Sequence, residues 1–135
     1  MTFILHPTLA ADTVFVAKSG GVQILMMDDA RYFWVILVPE TEAQELHDLD
    51  SQIAASLWAI IHNFGRALKQ HCNADKINSA AIGNIVPQLH FHIIARHHGD
   101  TDWPNPVWGH GQPVPMANAQ KAARLAVAQS WAGNV

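Results

Sequence analysis

From Asp50 or Ser51 onward the chain places Ile53, Leu57, Ile60, Ile61, Phe64 and Leu68 at steps of i, i+4, i+7, i+8, i+11 and i+15. That series is a stripe down one side of a long α-helix, and Trp58 widens it. A helix that is apolar on one side must bury that side, so its neighbours in sequence have to supply a complementary surface. They read as strands. In "DTVFVAKSGGVQILMMDDARYFWVILVPE" the run Val14 to Ala17 is short and β-branched. Ser19-Gly20-Gly21 is a turn signal, and Val22 to Met27 follows as a second strand. After the polar break Asp28-Asp29-Ala30-Arg31, the continuous apolar run Tyr32 to Val38, ended by Pro39, is typical of a strand covered on both faces.

Beyond Pro39, Thr41 with Gln44 three residues later is a capping-box pattern and predicts a short helical turn there. After the long helix, "KINSAAIGNIV" and "QLHFHIIAR" read as two more strands. "HHGDTDWPNPVWGHGQPVP" predicts an ordered but irregular loop. "MANAQKAARLAVAQSW" closes the chain as a helix, with Leu125, Val127 and Trp131 as its larger apolar residues. The order β-β-β-α-β-β-α predicts an α+β fold: an antiparallel five-stranded sheet with one long helix packed on it and a C-terminal helix. No repeat or low-complexity linker divides the chain. A single domain over 1–135 is expected, with 112–135 as a C-terminal helical extension.

Half of the 135 residues are hydrophobic, 14% are charged and the formal net charge is −3. That balance lacks the basic excess of a nucleic-acid binder and leaves apolar surface for a protein partner. The single cysteine, Cys72, allows no intrachain disulfide, which fits a reducing compartment. "MTFILHPTLAADT" has no basic n-region and meets His6 and Pro7 within seven residues. It reads as neither a signal peptide nor a membrane span, and a cytoplasmic location is expected.

Nine histidines stand against eight Lys plus Arg, so position must decide which of them matter. In "GNIVPQLHFHIIAR" the residues Gln88, His90 and His92 alternate with Leu89, Phe91 and Ile93. On a strand the apolar set faces the helix-covered core and the polar set the opposite face, with the two imidazoles about 7 Å apart along the backbone. Three readings stand side by side. These can be half-buried sheet histidines satisfied by hydrogen bonds. They can be two ligands of a metal site, with His97, His98 or His110 recruited as a third, although Gln88 is a poor zinc ligand and no Cys or Glu stands near at motif spacing. Or one imidazole is a nucleophile at phosphorus, the other a phosphate binder or acid, and side-chain amides donate to phosphate oxygens.

"QLHFHIIAR" resembles the signature of the histidine triad family, His-φ-His-φ-His-φ-φ with φ apolar. The similarity extends to "GNIVPQLHFH", to the strand, proline and "HDL" turn of "VILVPETEAQELHDL", and to the tryptophan-proline tail "DWPNPVWG". It covers roughly Val14 to Gly109. The resemblance implies cleavage or transfer at a nucleoside 5′-phosphate through a nucleotidyl-histidine, on dinucleoside polyphosphates or nucleoside phosphoramidates. His90 matches the middle, attacking histidine. His92 matches the third, which contacts phosphate oxygen and assists the leaving group. Asn84 matches an amide that donates to phosphate, and Gln88 matches the first histidine, which supports the nucleophile. Members are commonly homodimers. No cofactor is required, and a divalent cation can accompany a polyphosphate substrate.

Three departures qualify this. Gln88 cannot be protonated, so it can hold a neighbour but not relay a proton. Trp34 falls where many members carry a histidine that supports the first triad histidine, so both members of that contact are changed together, and a repacked Trp34–Gln88 pair is expected. At the nucleoside end Asp28, beside Asp29, stands for the family's ribose-binding acid. Arg96, at the end of the strand, is a further candidate for phosphate. Two alternatives follow: a nucleotide-binding regulatory protein with reduced or lost turnover, and a metal-dependent protein using His90 and His92 as ligands. His47 and His62 read as helix-surface residues, and Trp103 and Trp108 as groups that close the pocket, a dimer contact or the core.

Overall fold

The strand that the sequence marks as covered on both faces is the middle of the sheet. In the computed structural model, which describes residues 2–133, every residue from Trp34 to Pro39 is buried. The elements are α1 (Pro7–Asp12), β1 (Thr13–Ser19), β2 (Val22–Met27), β3 (Trp34–Pro39), α2 (Ser51–His71), β4 (Lys76–Ala81), β5 (Phe91–Arg96) and α3 (Asn118–Ala132). The five strands form one antiparallel sheet in the order β1-β2-β3-β5-β4. The fold is therefore α+β, as the pattern of elements predicts.

The β1–β2 hairpin turns on Gly20 and Gly21, both at positive φ, the backbone that a two-residue hairpin favours. A Cβ on Gly20 would lie 2.5 Å from Ser56 Oγ on α2, so helix and hairpin approach as closely as glycine permits. Helix α2 starts at Asp50, whose carboxylate accepts from the backbone N–H groups of Gln52 and Ile53. It ends at Cys72 and the left-handed Asn73. Its stripe buries Leu57, Ile60, Phe64 and Leu68 against Val22, Ile24, Met26, Val35, Leu37 and Ile93 of the sheet.

Helix α3 packs on the same face. Trp131 stacks on Phe33 and meets Phe64 edge-on, and Ala128 is fully buried. The segment before it is tied in by hydrogen bonds: Ala30 N–H donates to the Val114 carbonyl, and Val114 N–H to the Asp29 carboxylate. Of the extension expected over 112–135, residues 134 and 135 lie outside the described residues; the helix begins at Asn118, and Met116, Leu125, Val127, Ala128 and Trp131 pack on the main core.

The opposite sheet face is covered without a long helix. Leu25, Trp34, Ile36 and Ile94 pack there with Leu9 of α1, Val86 and Val107. The strands expected over 76–86 and 88–96 run only over Lys76–Ala81 and Phe91–Arg96, with an irregular segment between them, and two further local features differ from the sequence reading. Thr41 Oγ1 accepts from Ala43 N–H two residues on, which makes a turn and not a capping box, and the helical turn lies later, as a 3₁₀ turn over Leu46–Asp48. Helix α1 has no counterpart in the hydrophobic pattern. It rests on Pro7 at its first turn and on His6, whose Nδ1 accepts from Thr8 N–H.

Candidate active site

The edge where β5 begins brings the two histidines onto the face away from α2. His92 sits in β5 opposite Ile36 of β3 and Ala80 of β4, and His90 precedes the strand. Both are 5% exposed, with ring centroids 4.9 Å apart. His90 Nδ1 lies 2.7 Å from the Gln88 carbonyl oxygen. A carbonyl only accepts, so Nδ1 donates, and Nε2 is left with its lone pair. For His92 the assignment is reversed. Trp34 Nε1–H, which only donates, points at His92 Nδ1 over 3.0 Å. Nδ1 therefore accepts, and the neutral ring carries its proton on Nε2. Burial, reinforced by the neighbouring His90, pushes the His92 pKa down to about 3.

His90, His92, Trp34 and Asn84 line a cleft of about 590 Å³ whose further walls include Leu9, Asp12, Met27, Arg31, Val107 and Trp108. Trp108 meets His92 edge-on, its ring 5.2 Å away. A second cavity of about 380 Å³ adjoins it, lined by Gln44, Glu45, Leu46 and His47. Asn84 and His90 belong to both. His47, expected only as a surface residue, thus stands at a cavity that touches His90.

Two constructions hold the walls of the larger cleft. On one side the Gln88 amide binds the N-terminal segment twice: Oε1 accepts from His6 N–H at 2.8 Å, and Nε2 donates to the Ile4 carbonyl at 2.9 Å. This sets α1, with Thr8, Leu9 and Asp12, along the cleft. On the other side Arg96, 1% exposed, donates both Nε and Nη2 to Asp100 and Nη1 to Asn78. Asp100 in turn accepts from the backbone N–H groups of His97, Asp102 and Trp103. The Arg96 guanidinium holds the Asp100 carboxyl at about 2. Tyr32 donates its hydroxyl to Asp102; burial, with that bond, pushes its pKa up to about 12. Arg31 joins buried Asp29 to Asp102. The loop carrying Val107 and Trp108 is thereby fastened to β5 and to the β2–β3 loop.

Three expectations are corrected by this geometry. Arg96 is spent on Asp100 and Asn78 and does not line the cleft, because its whole fork is already satisfied inside the fold. Asp28 turns to the C-terminal segment, accepting from Met116 N–H and pairing with Lys121; the Met116 bond, foremost, lowers its pKa. Trp34 and Gln88 do not form a pair: Trp34 bonds to His92, while Gln88 faces the N-terminal segment. Of the other histidines, His110 lines the cleft, His97 bonds to the Cys72 carbonyl, His98 faces Asp75 and His62 pairs with Arg66. Among the described residues no three His, Cys, Asp or Glu side chains are grouped to hold a metal ion. Trp103 lies over Arg96 and Trp108 in the cleft.

The model of the HIT domain matches residues 8–99, more than half of the chain. The chain belongs to the HIT domain family. Crystal structures of histidine triad proteins superpose on nearly all of it. One from Bradyrhizobium japonicum is 40% identical, covering 95% of this chain and 96% of that chain at a TM-score of 0.91. One from Marinobacter aquaeolei VT8 is 38% identical, covering 98% and 97% at 0.93. One from Sinorhizobium meliloti 1021 is 37% identical, covering 96% of each at 0.91. No functionally curated protein matches. The HIT assignment supports a nucleotide-binding or hydrolase-type function in general terms. Among the described residues no helix is long and apolar enough to cross a membrane.

Proposed function

We propose that this HIT domain is a nucleotide hydrolase or nucleotidyltransferase that cleaves nucleoside 5′-phosphate derivatives through a nucleotidyl-histidine on His90. The observation that carries the reading is the state and place of His90. Its Nδ1 is committed to the Gln88 carbonyl, and the ring stands where two cavities meet, giving room for the two halves of a substrate. Asn84, shared by both cavities, and His92 Nε2–H are the donors available to phosphate oxygens. In the first step the Nε2 electron pair forms an N–P bond while the bond to the leaving group breaks. The Gln88 carbonyl then faces the positive charge on the ring. In the second step water or another acceptor attacks phosphorus and the pair returns to Nε2. This chemistry requires no resident metal; a divalent cation accompanies a polyphosphate substrate as its counter-ion.

We further take the working unit to be a homodimer. β4 lies at the sheet edge, and Trp58 on α2 is 69% exposed near Phe91, so this side offers an open edge and an apolar group together. Light scattering of the wild type and of Trp58→Glu tests it; a monomeric wild type would refute it.

The function is tested by incubating wild type and His90→Ala with dinucleoside polyphosphates and nucleoside phosphoramidates, with mass spectrometry of the quenched protein. Turnover and a nucleotide adduct on His90 are expected in the wild type, with turnover down about a thousandfold or more in the variant. Equal activity in both would refute the nucleophile. Nucleotide binding with neither turnover nor adduct would favour a regulatory binding protein, and stoichiometric metal lost together in His90→Ala and His92→Ala would favour the metal-ligand role.

A further inference from the structure

Trp34 is paired with Ile94 in the sheet register and turns its indole to the cleft. Its Nε1–H meets His92 Nδ1 at 3.0 Å, and both residues are 5% exposed. An indole N–H cannot become an acceptor. If His92 took a second proton, at Nδ1, two N–H groups would face each other over that distance with little water to separate them. The rest of the surroundings gives imidazolium no support. His90 is 4.9 Å away by centroid, Trp108 stands 5.2 Å away at an interplanar angle of 72°, and Ile36 and Ala80 flank the strand position. The charged or titratable groups that share the cleft with His90 and His92 are Asp12 from α1, Arg31 from the β2–β3 loop and His110 from the loop after β5. Among the described residues, no carboxylate bonds to the His92 ring. Burial lowers its pKa in the same sense.

A neutral His92 with its proton on Nε2 is a hydrogen-bond donor but not a useful acid. Giving up that proton would leave an imidazolate. The leaving group must therefore depart without receiving a proton from His92. Resting on the nucleotidyl-transfer reading above, we propose that Trp34 is a positioning residue that holds His92 as a neutral Nε2–H donor and so selects phosphoanhydrides, such as dinucleoside polyphosphates, over phosphoramidates. In an anhydride the P–O bond breaks as His90 Nε2 forms its bond to phosphorus. The electron pair leaves on a phosphate oxygen that is stable as an anion, and His92 keeps its proton while hydrogen-bonding to that oxygen. Water then attacks phosphorus, the N–P bond breaks, its pair returns to Nε2, and the proton of the water passes to solvent. In a phosphoramidate the P–N bond would have to break toward an amine that needs a proton within the same step. General acid catalysis contributes about 10²–10⁴-fold where it is present, and a His92 held neutral does not supply it.

The test has a kinetic arm and a spectroscopic arm. The probes are a dinucleoside tetraphosphate and a nucleoside 5′-phosphoramidate of a primary alkylamine, compared by kcat/KM between pH 5 and 8. The wild type is expected to favour the anhydride by roughly 100-fold or more. Trp34→Phe, which removes the donor, is expected to raise the amidate-to-anhydride ratio about tenfold, with the gain appearing on the acid side as His92 becomes able to carry a second proton. A wild-type ratio near unity, or an unchanged ratio in folded Trp34→Phe, would overturn the proposal.

The spectroscopic arm needs neither a variant nor turnover. In ¹⁵N-labelled wild type, His92 is expected to show an unprotonated Nδ1 and a protonated Nε2 throughout that pH range. A scalar coupling across the hydrogen bond is expected between Trp34 Nε1 and His92 Nδ1. A His92 ring that titrates in this range, or carries its proton on Nδ1, would overturn the positioning role. If neither probe is turned over and no adduct forms on His90, the nucleotidyl-transfer reading falls, and the selectivity with it. The nitrogen spectrum then still decides how Trp34 holds His92.

Discussion

The two walls of the larger cleft are built by opposite means. The N-terminal wall, α1 and the residues before it, hangs on a neutral amide: Gln88 makes one bond to His6 N–H and one to the Ile4 carbonyl. The loop wall, with Val107 and Trp108, hangs on buried charge: Arg96 with Asp100, Arg31 with Asp29 and Asp102, and Tyr32 with Asp102. Neutral bonds of this kind contribute about 0.5–1.5 kcal/mol each, and a lost bond leaves the surroundings largely intact. A buried ion pair behaves differently, because removing one partner strands the other without compensation. One wall is thus fastened by a latch that can open locally. The other is part of the frame, and local opening of it requires breaking the network.

The largest effect expected from this contrast is at Arg96. Arg96→Ala strands Asp100, 7% exposed at its side chain, and should cost about 3–5 kcal/mol in denaturant unfolding, with loss of the near-ultraviolet signal of Trp103 and Trp108. A cost below about 1 kcal/mol would show that the pair does not fasten the loop. Second is the response to acid. Asp100 is held at about 2 against an ordinary 3.8, so its stabilisation is complete above pH 3.8 and is lost as pH falls from 3.8 to 2. His92 is held at about 3 against 6.5, and the unfolded chain binds a proton there that the folded chain refuses. Stability should therefore already decline as pH falls from 6.5 toward 3, and Trp34→Phe should flatten that upper part. A stability flat from pH 7 to pH 4 would break the assignment.

Third, Tyr32→Phe removes the hydroxyl that caps Asp102 but leaves Arg31 in place, for an expected cost of about 1–3 kcal/mol by thermal unfolding. The smallest effect belongs to the latch. Gln88→Ala should cost about 1–2 kcal/mol globally at most, yet hydrogen exchange at His6 and Ala10 should accelerate while that at Trp103 does not. If the two walls loosen together, the contrast is wrong.

How much of this was legible in the sequence depends on the reach of each interaction. Helix α2 and strands β2 and β3 announce themselves because their burial repeats within the element, at 3.6 residues or as an unbroken apolar run. The facing of His92 follows from alternation between Phe91 and Ile93, whereas Gln88, Leu89 and His90 precede the strand, where alternation does not set the side. Helix α1 was missed because six residues are too few to show a period; only Pro7 and its cap mark it. Arg96 was misread although Asp100 stands just four residues on, because the acid lies past the strand end, where helical spacing has no meaning. Asp28 and Gln88 were beyond reach for another reason. Their partners Met116 and Ile4 are 88 and 84 residues away, and nothing local in either amide or carboxylate says which distant backbone group it will meet. Trp34 was legible as a departure, but its bond to His92 instead of Gln88 depends on the pairing of β3 with β5.

The Gln88 latch also has a place in time. It joins residues 82 and 84 positions apart, across most of the chain. During synthesis the segment that carries α1 leaves the ribosome well before Gln88, and the amide that seats it is made only after α2 and β4 have followed. Contacts of such separation close late, since the loop entropy must be overcome before two hydrogen bonds can reward it. Residues 4–12 are therefore seated later than their place in the chain suggests, and the cleft is without one of its sides until Gln88 is in place.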